Sequence, residues 1–158
     1  MQTPKPETPD DQLKFVREAI VKADEHRKRK EFKEGIDLLL DALAFGIERA
    51  ALYYRLGNIY YDAGDFGRAE YAYKRALEVD PKFANAMHNL AIVYKRQKKI
   101  DLYVRTYKAS QRLAIRHPRR SELAPGMKGT LRRDALRLFG IVAIVVVAAV
   151  VLVLVLRR

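Results

Sequence analysis

The 158-residue chain contains no cysteine and only two serines, Ser110 and Ser121. Without cysteine there is no disulfide framework and no thiolate metal site, which is compatible with a reducing compartment. Neither serine lies in a GxSxG context, and no P-loop or GxGxxG turn occurs. His26, His88 and His117 stand far apart and lack HExxH or any other metal-ligand spacing. Carboxylates that fall close together, such as Asp62 and Asp65, sit at a turn where solvation accounts for them. The expectation is therefore a non-enzymatic chain with no cofactor and no metal.

What the chain does have is a period. Counting Ala50 as the first position, Tyr53, Leu56, Gly57, Tyr60 and Tyr61 occupy a first helical half, and Gly64-Asp65 makes a turn. Phe66, Ala69, Tyr73, Ala76, Leu77 and Pro81 then occupy a second half. Gly57, Ala69 and Ala76 are small where two antiparallel helices approach, and the large residues fill the space between them. Asp80-Pro81 ends the second helix, because the residue before proline disfavours the helical region. Shifting the template by 34 residues gives weaker copies at 16–49 and 84–117. The upstream copy has Lys22 and His26 at the positions of Leu56 and Tyr60, which predicts a half-exposed end cap. The downstream copy has Lys98-Lys99 in place of Gly-Asp and Tyr103 in place of a small residue, which predicts a splayed helix pair.

The segment YYRLGNIYYDAGDFGRAEYAYKRALEVDP closely resembles a tetratricopeptide repeat, whose period is also 34 residues. The fold expected is all-α: a three-repeat helical solenoid over residues 13–117, with repeats 16–49, 50–83 and 84–117. Residues 1–12 hold three of the six prolines among acidic and polar residues and are expected to form a disordered tail without a secretory signal.

The net charge of +12 is unevenly placed. Repeats 16–49 and 50–83 are each neutral, whereas residues 84–117 carry eight basic residues against Asp101 alone. Residues 118–137, broken by Pro118, Pro125, Gly126 and Gly129, read as a basic linker and juxtamembrane segment. Residues 138–156, LFGIVAIVVVAAVVLVLVL, contain no polar side chain. As a helix this run is about 28 Å long, close to the hydrocarbon thickness of about 30 Å, and is expected to cross a membrane. Residues 157–158 form a short tail. Arg132, Arg133 and Arg137 precede the run, together with Arg119, Arg120 and Lys128, and only Arg157 and Arg158 follow it. This bias places the repeats on the cytoplasmic side of a bacterial or archaeal inner membrane or an organelle outer membrane. The layout is similar to that of tail-anchored proteins.

The resemblance also implies a concave face built from the first helix of each repeat, where the family binds extended or helical peptides. Its positions correspond here to Arg17, Ile20, Val21, Asp24, Arg27 and Lys28; to Ala51, Tyr54, Arg55, Asn58, Tyr61 and Asp62; and to Asn85, His88, Asn89, Ile92, Lys95 and Arg96. Asn58 and Asn89 hold positions that carry peptide-binding asparagines in chaperone-binding members, and an amide can bond both N–H and C=O of a peptide. Tyr54 stands where the carboxylate clamp of those members has lysine, so that clamp is incomplete. Tyr54 and Tyr61 offer contact area, and Arg55, Lys95 and Arg96 suit an acidic partner segment.

A second surface is the stripe Arg105, Lys108, Arg112 and Arg116, spaced to lie along one helix face. It suits anionic lipid headgroups, an acidic protein, or a soluble end cap. The run His26-Arg27-Lys28-Arg29-Lys30 has acidic neighbours and reads as a solvated turn. Nucleic acid is disfavoured, since no aromatic residues interleave with the stripe as a stacking platform would. The expected function is a membrane-anchored adaptor or scaffold for a protein or peptide partner. The alternative is a structural or assembly subunit of a larger membrane complex, held through its transmembrane helix and basic stripe.

Overall fold

The computed structural model describes residues 6–116, in which the first helix, α1 (Pro9–Lys28), starts earlier than the expected tail boundary. Pro9 to Gln12 were expected to be tail and instead make its first turn. Thr8 Oγ1 accepts the Asp11 N–H at 3.1 Å, and Pro9 supplies a φ already suited to a helix start. Asp10 and Asp11 then sit at the positive end of the helix dipole.

Five more helices follow: α2 (Phe32–Leu43), α3 (Arg49–Asp62), α4 (Phe66–Val79), α5 (Ala84–Arg96) and α6 (Ile100–Arg116). The described residues are thus all-helical, without strands. They pack as three helical hairpins in chain order, each also touching its neighbour. The linker at 118–137, the apolar run at 138–156 and the arginines at 132, 133, 137, 157 and 158 lie outside the described residues. Among the described residues no helix is long and apolar enough to cross a membrane.

Small residues recur where the helices meet. Ala23, Gly57 and Ala91 are spaced by 34 and all buried, as are Ala42, Ala76 and Ser110. At Gly57 a Cβ would lie 2.5 Å from the Tyr73 ring, so glycine there is what lets Tyr73 enter the core. Val16, Leu39, Leu52 and Ile59 fill the first half of the core, and Tyr73, Leu90, Val93 and Tyr94 the second. Burial of each such side chain contributes about 1.5–3 kcal/mol. On α1 only Val16, Ala19 and Ala23 are buried, and Val21 is exposed.

The turn inside each hairpin follows one pattern. Lys30, Gly64 and Lys98, again 34 apart, all have positive φ (63°, 81° and 60°). Their N–H groups reach back three residues to Arg27, Tyr61 and Lys95. The next N–H, of Glu31, Asp65 or Lys99, reaches back five residues to His26, Tyr60 or Tyr94 at 2.9 Å each. This is the Schellman closure of a helix C-terminus. Lys98 therefore takes the left-handed conformation that glycine takes in the second hairpin, and α5 packs on α6 rather than splaying from it. Tyr103, at the expected small position, is half-buried and packs against Tyr107, with ring centroids 5.7 Å apart and planes inclined at 42°.

Candidate functional site

Helices α1, α3 and α5 line up side by side, and their shared face holds a concavity of about 280 Å³. Arg27, Tyr54, Asn58, Tyr61, Asp62, Asn89 and Ile92 form its walls, and Tyr73 rises into its floor from α4. Seven of the residues assigned to a groove from the 34-residue register thus line one concavity, where Asn58 and Asn89 are bonded to each other.

Their chemistry differs from the expectation. Asn58 Oδ1 accepts the Tyr73 hydroxyl at 2.8 Å and the Asn89 amide at 2.9 Å. Asn89 Nδ2 also lies 3.4 Å from the Tyr54 hydroxyl. Each asparagine was expected to offer a whole amide to a peptide, yet one half of each is used in bonding α3 to α5. Asn58 Nδ2 and Asn89 Oδ1 are without a partner among the described residues. Burial pushes the Tyr73 phenol far above its ordinary range, so it is neutral and donates.

The groove cations are also largely spoken for. Arg55 Nη1 lies 2.6 Å from Asp24 Oδ2, and Arg27 Nη1 lies 2.5 Å from Asp62 Oδ2. Arg27 Nε is buried without a hydrogen-bond partner and stands 3.7 Å from Asp24. Burial opposes the charge on Arg27, but its hydrogen bond to Asp62 and the nearby carboxylates more than offset it, and its pKa is raised. Arg55, expected to draw an acidic partner, is instead committed to Asp24, because successive first helices place these side chains opposite one another.

At the other end of the groove Arg96 Nε donates to the Tyr61 hydroxyl at 3.0 Å. Exposed Lys95 places Nζ 5.7 Å from the Tyr103 ring centroid. His88 packs on Tyr107, at 5.6 Å between centroids, and Asn85 is exposed. Lys95 and Arg96, like Lys28 on α1, meet no carboxylate among the described residues. Tyr54, expected as free contact area, is half-buried against Phe83 at 4.8 Å.

Sequence reasoning placed Tyr73 only in the core and did not identify its hydroxyl as part of the groove floor. It also named Asp24 and Asp62 as groove residues without finding their arginine partners. The signal for both pairs was opposite charge at equivalent heights in successive repeats. Arg105, Lys108, Arg112 and Arg116 do lie together, exposed along α6 and away from the groove-lining residues. Among the described residues no three His, Asp or Glu side chains gather as a metal site.

Two matches to known families cover part of this architecture. Residues 50–83 match one tetratricopeptide-repeat family and residues 72–102 match a second tetratricopeptide-repeat family. The chain is also similar to the uncharacterized protein ycf37 of Pyropia yezoensis, with 39% identity over 59 residues. That similarity covers 37% of this chain and spans about a third of the relative's length, 33%. With their 34-residue helical hairpin, turn geometry and family matches, residues 50–102 are tetratricopeptide-repeat sequence.

Proposed function

We propose that this protein is a membrane-anchored adaptor that holds a segment of a protein partner in the groove of α1, α3 and α5. Repeats of this family are protein-interaction modules, and the observation that carries the reading here is the concavity centred on Asn58, Asn89 and Tyr73. Its floor is bonded in place, the Asn58 NH2 group and the Asn89 amide oxygen remain to meet a peptide, and Ile92 offers an apolar wall. Lys95 and Arg96 at one end favour an acidic residue in the partner. The apolar run at 138–156 supplies the anchor, and the arginines before it put the repeats on the cytoplasmic side. Confining adaptor and partner to one surface raises their effective concentration without any new contact.

The test is proximity labelling from the full chain in its membrane, run beside an Asn89→Ala/Ile92→Glu variant and a version truncated after Met127. Neighbours lost in the groove variant alone are groove clients. Neighbours kept by that variant and lost on truncation would replace this reading with that of a structural subunit held through its anchor.

A further inference from the structure

We propose that the outer face of α6 is a docking surface for an anionic lipid bilayer. Arg105, Lys108, Arg112 and Arg116 are all exposed, and none forms an ion pair among the described residues. Several cations elsewhere in the solenoid are paired, Arg55 with Asp24, Arg27 with Asp62, Lys74 and Lys99 with Glu70, whereas Lys28, Lys95 and Arg96 stand singly among the described residues and form no such row. The positions one and two repeats earlier make the contrast specific. Arg105 follows Asp37 and Tyr71 in the 34-residue register, Lys108 follows Leu40 and Lys74, and Arg112 follows Ala44 and Glu78. All of these are exposed, yet only α6 is uniformly basic there, with Asp101 its one acidic residue.

Apolar side chains accompany the cations. Val104 is 40% exposed and Ile115 is 78% exposed. Val104, Lys108, Gln111 and Ile115 succeed one another by four, three and four residues, so they share one line along the helix. A surface that meets lipid needs both features, cations for the headgroups and aliphatic groups that enter the boundary below them. An acidic protein needs only the first. Aromatic platforms for nucleic-acid bases are missing from this line, since Tyr103 and Tyr107 are half-buried on another side of the helix.

The inference extends the proposed anchoring and rests on it in part. Only 21 residues separate Arg116 from the apolar run, which limits α6 to about 70 Å from a bilayer even if they are fully extended. Six further basic residues lie in that interval. Each basic residue near an anionic surface strengthens association roughly fivefold, so the four on α6 together give on the order of several hundred-fold.

Because the chain has no cysteine, a single introduced one carries a unique spin label. The full chain bearing labelled Gln111→Cys is placed in lipid nanodiscs of phosphatidylcholine alone or with about one-third phosphatidylglycerol. Collision with an aqueous nickel complex is then read by power saturation. The expected result is a several-fold loss of collision in anionic discs only, reversed at high salt as screening predicts. It should also be abolished by R105Q/K108Q/R112Q/R116Q, whose fold is checked by circular dichroism. A label at Leu40→Cys, on the outer face of α2, should remain aqueous throughout. Equal collision in both disc types overturns the proposal while leaving the anchor intact. A chain that fails to co-elute with discs overturns the anchor, and the same label read on added phosphatidylglycerol vesicles then decides this inference alone. Protection produced by added RNA and not by lipid overturns it in favour of nucleic acid.

Discussion

The side-chain amide of Asn89 on α5 and the hydroxyl of Tyr73 on α4 converge on a single oxygen, Asn58 Oδ1 of α3, at 2.9 and 2.8 Å. One acceptor thus serves two donors from two other helices. Asn58→Ala should cost about 2 kcal/mol, because it leaves the buried phenol without an acceptor. Tyr73→Phe removes the donor itself and should cost about 1 kcal/mol. In the Asn58→Ala background, Tyr73→Phe should be neutral or restoring. Urea midpoints of the four proteins check this, and strict additivity would contradict a shared acceptor.

Gly57→Ala should destabilise the second hairpin by about 1–3 kcal/mol through overpacking. The added methyl would meet Tyr73 ring carbons at 2.5–2.8 Å, and that ring is 1% exposed and tied by its hydroxyl to Asn58. Thermal denaturation followed by circular dichroism reads the shift. Near-wild-type stability would mean that α4 slides along α3 more freely than its packing suggests.

Lys98→Gly should stabilise the third hairpin by about 0.5–1 kcal/mol, since lysine at φ 60° bears a steric cost that glycine does not. Gly64→Lys should cost a similar amount, and by φ alone, because no atom lies within 4 Å of a Cβ placed there. Melting temperatures that move in opposite directions for these two variants are the expected result.

Glu70 carries the pH prediction. Burial alone would raise its carboxyl, but hydrogen bonds from Lys74, Lys99 and Gln97 hold it at about 2, against an ordinary value of 4.5. A depressed folded-state pKa contributes stability that is complete above about 4.5 and is lost as pH falls toward 2. Glu70→Gln should therefore be less stable than wild type at pH 7, by about 1 kcal/mol for a network of this exposure. The difference should shrink as the two proteins are compared at successively lower pH. A gap that stays constant down to pH 2 would mean that Lys99 and Lys74 add nothing through charge.

The hairpins could be read from the chain because close helix approach demands small residues at fixed spacing, and Ala23, Gly57 and Ala91 supply them in register. The third turn could not be read the same way. A glycine announces a left-handed residue, whereas Lys98 adopts that conformation only because two returning hydrogen bonds, from its own N–H and that of Lys99, hold it there. Thr8-Pro9 did carry a helix-start signal, but the prolines around it suggested a tail. In the groove, the face assigned to Asn58 and Asn89 followed from periodicity. What each side chain bonds did not, since Arg55 and Asp24 are 31 residues apart and become neighbours only when the repeats stack. The hydroxyl of Tyr73 was hidden for a related reason: a large ring between helices reads as filling, and its polar tip is placed by the depth of the fold.

The bonds that cross between hairpins also set how far the groove can open. Swinging the third hairpin away from the second would break Asn89 to Asn58, Arg96 to Tyr61, Lys99 to Glu70 and Gln97 to the Phe66 carbonyl together. Swinging the first would break Arg27 to Asp62 and Arg55 to Asp24. These bonds together hold the span of the groove. Under the proposed function, a captured segment would have to match that width in side-chain volume, and the entropy lost on capture would fall on the incoming chain.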